Sequence, residues 1–398
     1  MTPPRIDETR ALDHLMDLLA IEGLSGREGK VAAAVREKLL AAGCEPSWID
    51  HDDANERIPG DYEVGNLIVD LPGTRPGPRR LFMGHMDTVP LCRGAAPVRR
   101  NGRIEAEGDT ALGGDNRTSI GALVTMVETL LARDVPRPPI TVLMTVGEEV
   151  GLWGARTVEL ERLGSPEQGF NIDSGAPHVL IIGATGADRW QVDVHGKSSH
   201  AGVHPEHGIS AALIASRAVA DVAAQGFFGK IELPGGSGTS NIGRMAGGEA
   251  SNQVTDRVFV SGESRSHDKA FLARITAAYR DAFEQAARGV TSSDGQCGRV
   301  DFRAETDYEA FEMPKDSPPV QLAAERVRAV LGVEAEYLVA NGGLDANYLN
   351  AKGLPTVTLG AGQHNPHTVD EYVDIQEYLD GCRTIAAIAA AQGTEAPT

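Results

Sequence analysis

The sequence predicts a mixed α/β fold, a mostly parallel sheet flanked by helices and interrupted by a smaller α+β unit. Three observations carry this. Through the first half of the chain, short apolar runs alternate with helical stretches, the grammar of a parallel sheet with crossover helices. From about Ala187 the pattern changes to strands whose apolar and polar residues alternate, and after Met313 the α/β grammar returns. The expected division is a main domain of residues 1–186 and 311–398, with an inserted domain at 187–310. A length of 398 residues suits two cores better than one.

Residues 7–21 and 28–42 have helical periodicity, the second ending at Gly43, a residue suited to closing a helix. Then come the apolar runs NLIVDL (66–71) and RLFMGHM (80–86), a helix over 117–133, and the runs ITVLMTVGEE (140–149) and FNIDSG (170–175). In the insert, WQVDVHG (190–196) and RVFVSGESRS (257–266) read as strands. Helices are expected at 208–224 and 267–288, and a third strand near 299–307. LPGGSGTS (233–240) reads as a loop within the insert. A helix at 317–331, the strand PTVTLG (355–360) and a helix near 375–392 complete the main domain.

Composition narrows the function. The formal net charge is -19 and no Lys/Arg-rich run occurs, which argues against nucleic acid and anionic membrane surfaces. No apolar run approaches the roughly 20 residues of a spanning helix, and the N-terminus lacks a basic start followed by an apolar core. A cytoplasmic protein is the expectation. Cys44, Cys92, Cys297 and Cys382 are scattered without CxxC spacing, so a metal would be held by histidine and carboxylate. No G-x-S-x-G elbow is present, which disfavours a serine nucleophile.

The acidic and imidazole groups fall at strand ends. His85 and Asp87 close one strand, two residues apart and hence on one face; Glu148 and Glu149 close another, and Asp173 a third. His367 follows a fourth through GAGQHNPHT, and Asp115 in LGGDNRTS precedes a helix. In open α/β sheets the crevice outside the carboxyl ends of the strands binds ligands. Singly, each residue has an ordinary reading: a helix cap, a solvated acidic pair, a surface histidine. Together, two histidines, several carboxylates and no cysteine suit zinc, with manganese or cobalt as alternatives, and a carboxylate-rich site can hold two ions.

GHMDTVP, LGGDNRTSIGAL, TVGEEVGLWGA, NIDSG, GKSSHAG and GQHNPHTVDEYV, in this order, resemble the motif set of the dinuclear zinc peptidases. That family includes peptidase T, succinyl-diaminopimelate desuccinylase, aminoacylase and glutamate carboxypeptidases, and the likeness points to peptidase T and its uncharacterised relatives. The resemblance implies a zinc-peptidase catalytic domain with an inserted lid and dimerisation domain. It implies that His85 and Asp173 hold one metal, Glu149 and His367 the other, and that Asp115 bridges them. Glu148 would be the general base. Asp87 would accept the free imidazole N–H of His85, with direct ligation the alternative. In the insert, His200 would reach the active site of a partner subunit to stabilise the developing oxyanion, and Asn252 and Arg265 would hold substrate oxygens. NGGLDAN (341–347) resembles the family's glycine turn, which makes Asn341 and Gly343 candidates for the substrate pocket.

The expected activity is therefore hydrolysis of amide bonds in small peptides by a tripeptidase-type aminopeptidase. A carboxypeptidase or N-acyl amino acid amidohydrolase is the alternative on the same metals. Leu344, Arg117 and the sequence Asp173-Ser174-Gly175 depart from the common family pattern around the site without removing a ligand. Small peptides or N-acyl amino acids are the expected partners, with a second copy of the chain.

Overall fold

A computed structural model describes residues 3–392. The chain divides into two compact units. One contains the residues up to Gly183, Glu312–Ala340 and the chain from Leu344 onward; the other contains Ala184–Phe311 and Asn341–Gly343.

The first unit is built on a large mixed sheet. Its centre is parallel: Arg80–His85 lies between Ile140–Thr145 and Gln168–Ile172, and Thr356–Leu359 continues beyond the latter. Three of these strands are apolar or buried along their whole length, as strands covered by helices on both faces must be. The flanks are antiparallel, with Leu67–Leu71 against Ile140–Thr145 and Val179–Ala184 beside Thr356–Leu359. Only a short link separates Leu67–Leu71 from Arg80, whereas a parallel neighbour needs a crossover of a dozen residues or more. The helix Gly114–Ala132 is buried over most of its length and packs with Glu8–Leu19 and Ile375–Ala390. A separate small sheet of Pro97–Arg100, Arg103–Ala106, Gln363–His364 and Tyr372–Asp374 leaves no periodic signal in the sequence, because its strands are only two to four residues long.

The second unit is a five-stranded antiparallel sheet covered by the helices Ala211–Ala224 and Lys269–Arg288. Trp190, Val192 and Val194 point into its core with Tyr279 and Phe283, which accounts for the alternation in WQVDVHG. LPGGSGTS is not a loop as expected. Gly229–Leu233 and Gly236–Gly247 form a hairpin in which Leu233 pairs with Gly236 around Pro234 and Gly235. Its glycines answer to packing: a Cβ on Gly236 would stand 2.5 Å from the Phe271 ring, and one on Gly238 would stand 2.3 Å from the Arg265 carbonyl oxygen. Among the described residues, no helix is long and apolar enough to cross a membrane.

Candidate metal centre

The parallel strands deliver their chemistry to one edge of the sheet. His85 is the last residue of its strand, Asp173 directly follows Gln168–Ile172, and the Ile140–Thr145 strand runs on into Val146–Glu149. Asp115 enters with the first turn of Gly114–Ala132, where Asp115 and Asn116 depart from helical geometry and the peptide between them is cis. His367 comes from the loop after Thr356–Leu359, in the left-handed region at φ 63°.

These residues meet in two overlapping groups, His85 with Asp115 and Asp173, and Asp115 with Glu149 and His367; within each, one ligand atom per residue lies within 4.8 Å of the others. Asp115 belongs to both. Its Oδ1 is 3.1 Å from His85 Nε2, and its Oδ2 is 3.5 Å from His367 Nε2. His85 Nε2 is 3.8 Å from Asp173 Oδ1 and 4.0 Å from Glu148 Oε2, while His367 Nε2 is 2.9 Å from Glu149 Oε2. Ligands about 2.0–2.2 Å from a tetrahedral zinc stand roughly 3.3 Å apart, so this donor set fits a pair of small divalent cations sharing Asp115.

The electrostatics make the same demand. Five carboxylates with little access to water, Asp87, Asp115, Glu148, Glu149 and Asp173, face the buried imidazole of His85 and the half-exposed one of His367. Burial lifts Glu148 and Asp173 well above the ordinary carboxyl range; His85 opposes this at both, and neighbouring carboxylates add to it. Burial likewise raises Glu149. Burial would raise Asp115 too, but its bonds to His367 and His85 outweigh it and hold that carboxyl low. His367 is raised to about 10 by Asp115 and Glu149. His85 is raised although burial opposes it, through Glu148, Asp115 and Asp87. Protons on the imidazoles thus partly balance an excess of negative charge that cations would balance better.

Asp87 is fully buried and its carboxylate does more than face His85. The imidazole Nδ1 of His85 lies 3.1 Å from the Asp87 carbonyl oxygen and 3.4 Å from its Oδ1, so the main chain supplies the nearer acceptor. The carboxylate accepts N–H bonds from Glu148 and Glu149. Of the two histidines in GAGQHNPHT, His364 bonds to Glu377 at 2.6 Å and stacks on Tyr372, and His367 alone joins the cluster.

The model of peptidase family M20/M25/M40 matches residues 81–391. The chain belongs to that family. It is 31% identical over 384 residues to the uncharacterised protein YqjE of Bacillus subtilis (strain 168), covering 96% of this chain and 98% of that protein. A crystal structure of a tripeptidase from Staphylococcus aureus subsp. aureus mu50 superposes with a TM-score of 0.86 at 28% identity, covering 97% of this chain and 98% of that one. That of aminopeptidase PepT from Bacillus cereus ATCC 10987 gives 0.84 at 29% identity, over the same shares of the two chains. As an M20/M25/M40 peptidase, this chain is a metal-dependent hydrolase acting on peptide bonds.

Sequence reasoning missed two acidic residues that serve this M20/M25/M40 centre. Glu371 accepts the N–H groups of Gly113 and Asp115 at 2.8 and 2.9 Å, pinning the turn that presents Asp115. It lies in HTVDEYV beside exposed residues, where nothing in the sequence sets it apart from Asp370. Asp345 is buried beneath Glu148 and Asp173, accepts from the Thr145 hydroxyl at 2.5 Å, and is raised to about 6 by burial. It lies in NGGLDAN, the stretch that also holds Asn341 and Gly343. Those two belong to the second unit: Asn341 Oδ1 meets His267 Nε2 at 3.2 Å, and a Cβ on Gly343 would strike the Tyr308 ring at 2.4 Å. In the same unit His200 and Asn252 are exposed on neighbouring segments, the Ala201 N–H donating to the Asn252 carbonyl at 2.9 Å. Arg265 is held along one edge of its guanidinium by Glu263, Nε and Nη2 donating at 3.0 and 3.1 Å.

Proposed function

We propose that this protein is a zinc-dependent aminopeptidase of the peptidase T type, releasing residues from short peptides. The observation that carries the reading is Asp115, which turns one carboxylate oxygen to His85 and the other to His367. His85, Asp115 and Asp173 would hold one ion; Asp115, Glu149 and His367 would hold the other. When bound, the ions polarise the scissile carbonyl and lower the pKa of the attacking water. Glu148 reaches into the same space without belonging to either ligand group, and burial keeps its carboxyl ready to accept a proton and pass it to the leaving amine. Asp87 fixes the Glu148 and Glu149 main chain and faces His85. In the insert, His200 would donate to the developing oxyanion from a partner subunit, and Asn252, Arg265, Asn341 and Gly343 would shape the substrate pocket, within a cytoplasmic homodimer.

The test is to load purified protein with zinc, manganese or cobalt, incubate it with a mixed library of short peptides and N-acyl amino acids, and identify the products by mass spectrometry. Loss of N-terminal residues supports the reading. Release of C-terminal residues or acyl groups alone would replace it with the carboxypeptidase or amidohydrolase alternative.

A further inference from the structure

After the strand Ile140–Thr145, four consecutive main-chain N–H groups each end on a side-chain oxygen from elsewhere in the first unit. Val146 donates to Asn66 Oδ1 at 3.1 Å, Gly147 to Glu28 Oε1 at 3.0 Å, Glu148 to Asp87 Oδ1 at 3.0 Å and Glu149 to Asp87 Oδ2 at 3.2 Å. Buried amides need partners, and sheets usually supply main-chain ones. Here Gly147 turns into the left-handed region at φ 63°, and the loop is cast against side chains instead.

We propose that Glu28 is a positioning residue of this peptidase, which with Ser25 and Asn66 sets the loop that presents Glu148 and Glu149. Glu28 Oε1 also accepts the Gly26 N–H at 3.0 Å, so one oxygen joins the turn before the helix Gly29–Ala41 to the loop. The Ser25 hydroxyl donates to Asp87 Oδ2 at 2.6 Å, so the stretch Ser-Gly-Arg-Glu holds both carboxylates that receive the loop. Glu28 is fully buried and its Oε2 has no hydrogen-bond partner. A carboxyl with an unmet oxygen is a costly way to fill a core position. Its place is accounted for by the acceptor it supplies to Gly147, whose carbonyl neighbour is the Glu148 amide. Burial and Asp87 push the carboxyl up to about 7, which eases the crowding of two acids around one loop. A displacement of about 1 Å at a reacting group can cost 10²-fold in rate, so an anchor one residue from the base matters to chemistry.

The inference rests on the reading of Glu148 and Glu149 given above, and its test includes a readout independent of activity. Glu28→Ala, Glu28→Gln and Glu28→Asp are compared for kcat, KM, bound metal and hydrogen exchange of the peptide spanning residues 144–150. Glu28→Ala should lower kcat about 10–100-fold, the usual effect of losing a group that supports a metal site. KM should change little, and exchange at 146–149 should accelerate. Glu28→Gln keeps the acceptor oxygen and should recover most of both losses. Glu28→Asp keeps the charge but is one methylene short, so it should remain impaired, and it serves where the alanine variant does not fold. Wild-type kcat and protection in Glu28→Ala would overturn the inference, as would an active Asp variant beside an inactive Gln variant. A wild type that cleaves no peptide would instead overturn the assigned function, leaving the exchange pattern to judge Glu28.

Discussion

The two units treat their candidate residues in opposite ways. In the first, His85 and Asp87 are almost wholly removed from water, and neighbouring main-chain amides are tied to fixed acceptors. In the second, His200 and Asn252 stand exposed and Arg265 answers to Glu263. Burying several carboxylates together is costly unless cations or protons compensate, so a protein keeps such a cluster only where something binds. Exposed polar groups cost little and become strong only when a partner or substrate covers them. The first unit is thus prepared for chemistry in advance, whereas the second must be completed.

The hardest blow to this contrast is removal of the shared anion. Asp115→Ala would leave the two cations of the proposed centre without the carboxylate between them, so their mutual repulsion would be unshielded. Both metals should be lost, and activity should fall by more than the ~10⁴ upper end for a general base. Metal analysis after gel filtration checks this; two retained equivalents would refute the bridging role. Next comes Glu148→Gln, which keeps shape and metal but cannot take a proton, with an expected loss of ~10²–10⁴ in kcat. Glu149→Gln should instead release one metal. The reverse pattern would exchange the two roles.

The same contrast explains what could be read in the sequence. His85, Asp173, Glu148 and Glu149, at or just beyond strand ends, were legible because apolar runs mark strands and the parallel order brings their ends together. The second unit's core strands were legible from alternation at Trp190, Val192 and Val194. The hairpin at 229–247 was not, because glycine and serine usually signal loops and here answer to the proximity of Phe271 and Arg265. Glu28, Asp345 and Glu371 were not legible either. Each is an acid in a segment whose importance comes from a fold contact with distant Gly147, Thr145 or Gly113. Periodicity carries no record of such contacts.

A smaller effect tests whether the second unit completes the first. His200→Ala should cost ~10²–10³ in kcat, the usual worth of one oxyanion donor, while retaining both metals. Mixing it with Glu148→Gln under conditions of verified subunit exchange should restore activity if His200 acts across a two-fold dimer, because one site of each heterodimer is intact. Exchange without recovery would place that histidine outside the partner's reaction.

The last expected effect concerns stability and not rate, and bears on the buried side of the contrast. Glu28 has an ordinary value of 4.5 and is raised to about 7, with burial first among the causes and Asp87 next. A carboxyl raised by folding binds its proton more tightly in the folded chain than in the unfolded one. Its contribution is therefore fully present below pH 4.5 and is lost as pH rises through about 7. At ~1.4 kcal/mol per unit, the full swing from 4.5 to about 7 is about 3.5 kcal/mol. Glu28→Gln keeps the acceptor and cannot titrate, so the stability of the native protein relative to this variant should decline from pH 5 to pH 8 and then level. Denaturant unfolding at several pH values, with metal saturating throughout, measures that difference. A flat difference would mean that water reaches Glu28 freely, and the first unit would then be less sealed around its loop than its geometry requires.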